Sequence, residues 1–280
     1  MTTVMTLDIA TEIENAEIDM LSSRLERLQT ISGNPMQVQM KKFGSATAFS
    51  SKIIAGPAFN TVKGITNADA IDAIISYYES LQIPCRFEIT PAQGTTELFQ
   101  YLSQKGFYQS SFHTALYSIP REGSSLLPSN ITIRKLKENE FDIFADIYVR
   151  GFNMPSFTKD SVRQNNEILY NEPGWHFFIA EVQNIPAGIG VLYINKGVAS
   201  LAASATLPEF QRKGCHTALI QKRIKTAIES NCTLIVGQAR FGSGSQNNME
   251  RAHMKIAYTK SIWTAKDILE FTLFLLPLHF

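Results

Sequence analysis

Cysteine is scarce in this chain: Cys85, Cys215 and Cys232 are the only three in 280 residues. An odd number without a CxxC pair, in a chain large enough to need no staples, implies a reducing cytoplasm. Charge of one sign is also missing. Lys and Arg total 26 against 25 Asp and Glu, a net charge of +1. That balance gives no general attraction to nucleic acid or to a membrane surface, and neither is expected as a partner. His113, His176, His216, His253 and His279 show no ligand spacing, so no metal site is expected. The N-terminal MTTVMTLDIATEIENAEID carries early acids and no long apolar core, unlike a secretory signal. The most apolar run, Phe271–Phe280 (FTLFLLPLHF), is interrupted by Pro277 and is half the roughly 20 residues that span a bilayer. It is expected to pack on the protein or a partner.

What is present suits a globular fold. Hydrophobic residues make up 44% and charged residues 18% of the chain, enough for a core and too apolar for wholesale disorder. The length fits one large domain or two modest ones. Ile18, Leu21, Leu25 and Leu28 repeat at helical spacing and predict a helix over 10–31, stopped by Gly33–Asn34–Pro35. Strand-like runs follow at Gln37–Lys42, Thr47–Ile53 and Phe59–Ile65. Asn67 can cap a helix with Ile71, Ile74, Ile75 and Tyr78 on one face. Cys85–Thr90 reads as a strand, Thr95–Lys105 as a helix ended by Gly106–Phe107, and His113–Ile119 as another strand.

Residues 120–130, PREGSSLLPSN, form the linker candidate. They suggest two domains, 1–125 and 126–280. After the linker the pattern is β-α-α-β-β-β-α-β-α-β, with a three-strand meander at His176–Val182, Ala187–Ile194 and Val198–Leu207. Thr158 can cap the second of its helices, and the helix from Cys215 to Glu229 shows Ile220, Ile224, Ala227 and Ile228 as its apolar stripe. The first half ends in a shorter version of the same order. It reads as a weak internal duplication.

The chemistry lies in Ala205–Thr217, ATLPEFQRKGCHT. A strand runs through Pro208–Glu209–Phe210 and a basic turn into a helix. A helix starting there leaves backbone N–H groups unpaired, and with the helix dipole they suit a phosphate. Gly214 lets the backbone approach an anion, and Arg212 and Lys213 add positive charge. Cys215 is read as a small buried residue, not a nucleophile, and Glu209 as a surface residue.

This segment resembles motif A of the GNAT superfamily of N-acetyltransferases, Q/R-x-x-G-x-G/A, through Gln211, Gly214 and their placement after a strand. The element order over residues 131–263 is similar as well. The resemblance implies an α/β (α+β) fold: a mixed, mostly antiparallel sheet flanked by helices, with a second, smaller and degenerate GNAT-like unit at the N-terminus. It implies acetyl-CoA as cosubstrate. The backbone of Arg212, Lys213, Gly214, Cys215, His216 and Thr217 would hold the pyrophosphate. Ser204, Ala205, Thr206 and Leu207 would pair with the pantetheine arm as an added strand would, and Asn248 would lie along it. The loop Phe152–Phe157 would wall the acceptor. A backbone N–H near Thr206 or Leu207 would stabilise the developing oxyanion.

Two positions depart from the family pattern. His216 stands where motif A ends in a small residue; it could narrow the phosphate site or add a donor. His253–Met254 replaces a common Gly-Phe pair, which the first half retains as Gly106–Phe107. Restoring glycine at 216 is expected to preserve or tighten CoA affinity. Tyr258 is the candidate acid for the leaving thiolate, with a core-packed strand tyrosine as the alternative. The implied activity is acetyl transfer to a primary amine on a small molecule, in the cytoplasm, with a homodimer left open. The alternative is a non-catalytic acyl-CoA-binding or interaction protein. An aminoacyl transferase using charged tRNA would want a basic groove, against the charge balance.

Overall fold

The computed structural model of the chain describes residues 4–54, 56–121 and 130–266. Most of the linker candidate and the apolar tail 271–280 lie outside the described residues. Helix α1 covers Leu7–Gln29, followed by strands β1 (Val38–Phe43), β2 (Ala46–Ser51) and β3 (Thr61–Lys63). Next come α2 (Ile71–Leu81), β4 (Arg86–Ile89), α3 (Thr96–Gln104) and β5 (Phe107–Ser118). The second half runs β6 (Ile131–Lys135), α4 (Phe141–Gly151), α5 (Lys159–Glu167), β7 (Trp175–Val182), β8 (Ile185–Asn195) and β9 (Val198–Thr206). It closes with α6 (Cys215–Glu229), β10 (Leu234–Ala239), α7 (Gly244–Arg251) and β11 (Lys255–Ala265). The fold is mixed α/β, with mostly antiparallel strands flanked by helices.

Among the described residues, 4–114 with 257–266 form one compact unit and 115–256 the other. This division differs from a single boundary near residue 125. Strand β11 counts with the first unit, where it pairs antiparallel with β4 from Ser261↔Ile89 to Thr264↔Arg86. Its Trp263 is the reason. The indole joins the first unit's core and stacks on Phe99 at 5.4 Å between ring centroids, an aromatic anchor no local pattern reveals.

In the first unit the strand order is β1-β2-β3-β4-β11, with β3 and β4 parallel and the other pairs antiparallel. Val62, Phe87 and Ile89 face a core closed by Ile71, Ile74 and Tyr78 of α2 and Leu98 and Leu102 of α3. Buried Tyr78 donates to Phe49 O at 2.6 Å or Thr61 O at 3.1 Å, tying α2 to β2 and β3. Asn67 does not cap α2. The N-cap is Ala70, without a side-chain bond, and Asn67 Oδ1 accepts from Asp69 N instead. Strand β5 starts at Phe107, earlier than His113, because Gly106 at φ +82 turns the chain straight out of α3.

The second unit orders its strands β10-β9-β8-β7-β6. The meander is antiparallel and β9–β10 is parallel. Thr158 is the N-cap residue of α5 but makes no capping bond; its hydroxyl donates to Pro155 O. On α6 the buried stripe is Cys215, Ala218, Leu219, Ile220, Arg223 and Ala227. Ile224 is only partly buried against it, so an arginine takes a core position expected for an aliphatic residue. Among the described residues no helix is long and apolar enough to cross a membrane.

Candidate functional site

The second unit's sheet forks. β9 and β10 pair from Val198↔Leu234 to Leu201↔Gly237 and no further, although β9 continues to Thr206 and β10 to Ala239. A bulge causes the parting. Between the pairs Gly190↔Ser204 and Leu192↔Leu201, β9 carries one residue more than β8, which bends the strand. Past the fork β9 keeps β8 on one edge and leaves the other edge open.

The ladder decides which peptide faces the opening. Leu207 N–H is spent on Ala187 O at 2.9 Å, so it is not a free donor as the sequence suggested. Donors alternate between edges along an antiparallel strand, and Thr206, paired opposite Gly188 without exchanging bonds, turns its N–H to the open edge. Gly151, ending α4, permits this. A Cβ there would sit 2.8 Å from Ala205 Cβ and 3.2 Å from Thr206 N and O.

Beyond Thr206, Pro208–Phe210 form a 3-10 turn and the chain enters α6 through Arg212 at φ +61 and Gly214 at φ +93. Gly214 is the N-cap and no side chain caps the helix. The first-turn N–H groups of Cys215, His216 and Thr217 therefore have no intrahelical acceptor. Arg212 and Lys213 are exposed, and Lys213 Nζ lies 4.8 Å over the Phe210 ring. Two turns into α6, Arg223 is 1% exposed. It donates to Leu219 O at 3.1 Å and Val191 O at 3.2 Å and has no carboxylate partner among the described residues. Burial pulls its pKa down to about 9. The uncapped helix end, with Arg212 and Lys213 beside it, makes the turn suited to an anion.

His216 and Asn248 are brought together. Arg251 Nη1 donates to Asn248 Oδ1 at 3.0 Å, and an arginine can only donate. Oδ1 thus faces Arg251, and Nδ2 must donate to His216 Nδ1, 2.9 Å away. The imidazole is neutral with its proton on Nε2. Burial, then nearby Arg223, lowers its pKa to about 4, in keeping with that state.

The other residues singled out in the sequence scatter. Cys215 is buried, and burial raises its thiol pKa. Cys85 and Cys232 are likewise buried and free. Glu209 is exposed and pairs with Arg150 at 2.7 Å. In the loop after α4, Phe157 is 84% exposed. His253 has φ +64, the left-handed backbone that its glycine-like position demands. Tyr258 falls with the first unit. Its hydroxyl is buried without a hydrogen bond, and burial, then Glu14, raises its pKa.

The first unit has a fork of its own, and it is full. β3 and β4 pair at Val62↔Phe87, and the next residues on each strand are Lys63 and Glu88. Lys63 Nζ lies 2.5 Å from Glu88 Oε2 and 2.7 Å from Glu17 of α1. Lys260 of β11 binds Glu17 and reaches Glu88 at 3.1 Å. Thr61 donates to Glu88 Oε1 at 3.2 Å. Burial alone would raise the Glu17 pKa; Lys260 and Lys63 outweigh it and hold it down to about 2.

None of these fork residues, nor Arg223 or Gln238 of β10, was singled out by sequence. The available signal was charge on short apolar strands, in TVK, RFEI and IAYTKSIW.

Residues 141–246 match the family model described as acetyltransferase (GNAT) family. No curated protein matches the chain. Among solved structures, the chain is similar to a GCN5-related N-acetyltransferase from Kribbella flavida, with TM-score 0.67 and 13% identity over 91% of this chain and 95% of that one. A GCN5-related N-acetyltransferase from Sphaerobacter thermophilus gives 0.60 and 11%, over 85% and 84%. A tandem GNAT protein from the clavulanic acid biosynthesis pathway gives 0.59 and 9%, over 91% and 95%. At such identities the likeness is one of fold.

Proposed function

We propose that the second unit, whose residues 141–246 match the acetyltransferase (GNAT) family model, binds acetyl-CoA and passes its acetyl group to a primary amine on a small molecule. The observation that carries this reading is the conjunction of an open strand fork with an uncapped, glycine-entered helix end. The residues present fit the cosubstrate. A pyrophosphate would find the N–H groups from Gly214 to Thr217 and the rim charges Arg212 and Lys213. An extended amide-bearing arm would find the free edge of β9 from Ser204 to Thr206, with Gln211 and Asn248 beside its path. The thioester supplies an activated acyl carbon. Thr206 N–H would donate to its carbonyl oxygen as negative charge develops there. Holding amine and thioester in one fork supplies orientation, a large share of the rate in such reactions. With its three cysteines buried and free, we assign the protein to a reducing cytoplasm.

The alternative, a non-catalytic acyl-CoA-binding protein, draws on His216 and His253, which stand where the family pattern has a small residue and a glycine. One experiment separates the readings. Acetyl-CoA is offered with a panel of primary amines and free thiol is followed. Steady thiol release with one amine supports transfer. CoA binding with no release from any amine supports the alternative.

A further inference from the structure

Gln238 follows Gly237, the last residue of β10 to pair with β9, and so stands at the mouth of the open fork. Side chains alternate between faces along a strand. Ile235 and Ala239 belong to the core beneath α6, which puts Gln238 on the opposite face. That is the face where Gly151 of α4 meets Ala205. Both polar atoms of its side chain, Oε1 and Nε2, are buried without a hydrogen-bond partner. A buried amide in that state is costly, and an apolar side chain of similar size would avoid the cost.

The first unit holds the same backbone position. Glu88 follows Phe87, the residue of β4 that pairs with β3, and there Lys63, Lys260 and Thr61 satisfy the carboxylate. One fork supplies its polar side chain with partners from the protein. The other leaves the partners to come from outside.

We infer that Gln238 is the residue that grips the acceptor amine, its Oε1 accepting an N–H of the amine and its Nε2 donating to a hydroxyl or carbonyl oxygen of the same molecule. This rests on the acetyltransferase reading above. A neutral amide suits the task. A carboxylate would favour the ammonium form, whose lone pair is blocked, whereas an amide binds the amine without holding its proton.

The test is Gln238→Leu, with Gln238→Met as a second apolar variant. CoA affinity by calorimetry should stay within about twofold of the parent. With spermidine, kanamycin and alanine amide as probe acceptors, kcat/KM for whichever is acetylated should fall at least about tenfold, mostly through acceptor KM, as one lost hydrogen bond to a buried group implies. In the ligand-free protein Tm should hold or rise, because an unpartnered amide has been removed. An unchanged acceptor kcat/KM, or a drop in Tm with both variants, overturns the inference. A parent that binds no CoA would instead overturn the acetyltransferase reading. A parent that binds CoA but acetylates none of the probes overturns the acceptor role.

Discussion

The two forks of this molecule share a backbone plan and differ in what stands in them. In the first unit the strands part at Val62↔Phe87 and the gap is filled by Lys63, Glu88, Glu17 and Lys260. In the second they part at Leu201↔Gly237 and the gap is flanked by small residues, one open peptide edge and an unpartnered amide. The helices after the forks differ in the same sense. Helix α6 begins at a left-handed glycine with basic neighbours, whereas α2 begins at Ala70 and carries Asp72 in its first turn, paired with Lys105 at 2.7 Å. That carboxylate already suits the positive helix end. On the proposed reading, one fork has been made into core and the other kept for a ligand.

The largest effect should come from breaking the filled fork. Lys260→Met leaves Glu17 and Glu88 buried with a cation removed, and should cost about 3–5 kcal/mol in urea unfolding. A loss below about 1 kcal/mol would mean the cluster contributes little. Acid should act through the same residues. Glu17 is held near 2 against 4.5 for a free glutamate, so its contribution is present above about 4.5 and lost as pH falls toward 2. Glu14 acts with the opposite sign. Both its oxygens are buried without a hydrogen bond, with Lys260 Nζ 3.9 Å away. Burial, against the pull of Lys260 and Lys63, raises its pKa. A raised carboxyl favours the fold at low pH and loses that contribution as pH rises through its folded value. Glu14→Gln should therefore raise the urea midpoint at pH 8 and leave it unchanged at pH 4; equal midpoints at both pH values would refute this sign.

Smaller effects should follow at the open fork. The sequence alone favours equal or tighter CoA binding after His216→Gly. The hydrogen bond to Asn248 reverses the sign, since removing the ring frees Asn248 and Arg251. His216→Gly and Asn248→Ala should each weaken CoA binding by about 0.5–1.5 kcal/mol in calorimetry. Tighter binding in the first variant would favour the sequence-based expectation. Smallest is His253→Gly, which relieves a left-handed residue and should add about 1 kcal/mol of stability; no gain in Tm would show that the turn tolerates histidine without strain.

The order of elements was legible in the sequence because it rests on local periodicity. The meander from β7 to β9, helix α6 and the basic turn lie within about two residues of where alternation and turn residues predict them. Placement of β11 was not legible. Its place depends on Trp263 against Phe99 and on Lys260 reaching Glu17, 243 residues away, and local patterns carry no such information. For the same reason no local pattern shows that Tyr258 falls with the first unit. Gln238 escaped notice because one glutamine on a strand looks like any solvent-facing residue until the pairing is known. At Leu207 the residue was legible but its hydrogen bond was not, because the β8–β9 register sets that bond.

The most direct test of the contrast between the forks is a CoA titration of the whole chain by calorimetry, run beside Gly214→Asp. The substitution puts a carboxylate and a Cβ at the φ +93 entry of α6. The account predicts saturation near one equivalent for the parent and no measurable binding for the folded variant. A second equivalent, or binding that survives Gly214→Asp, would contradict it and make the first fork a functional site.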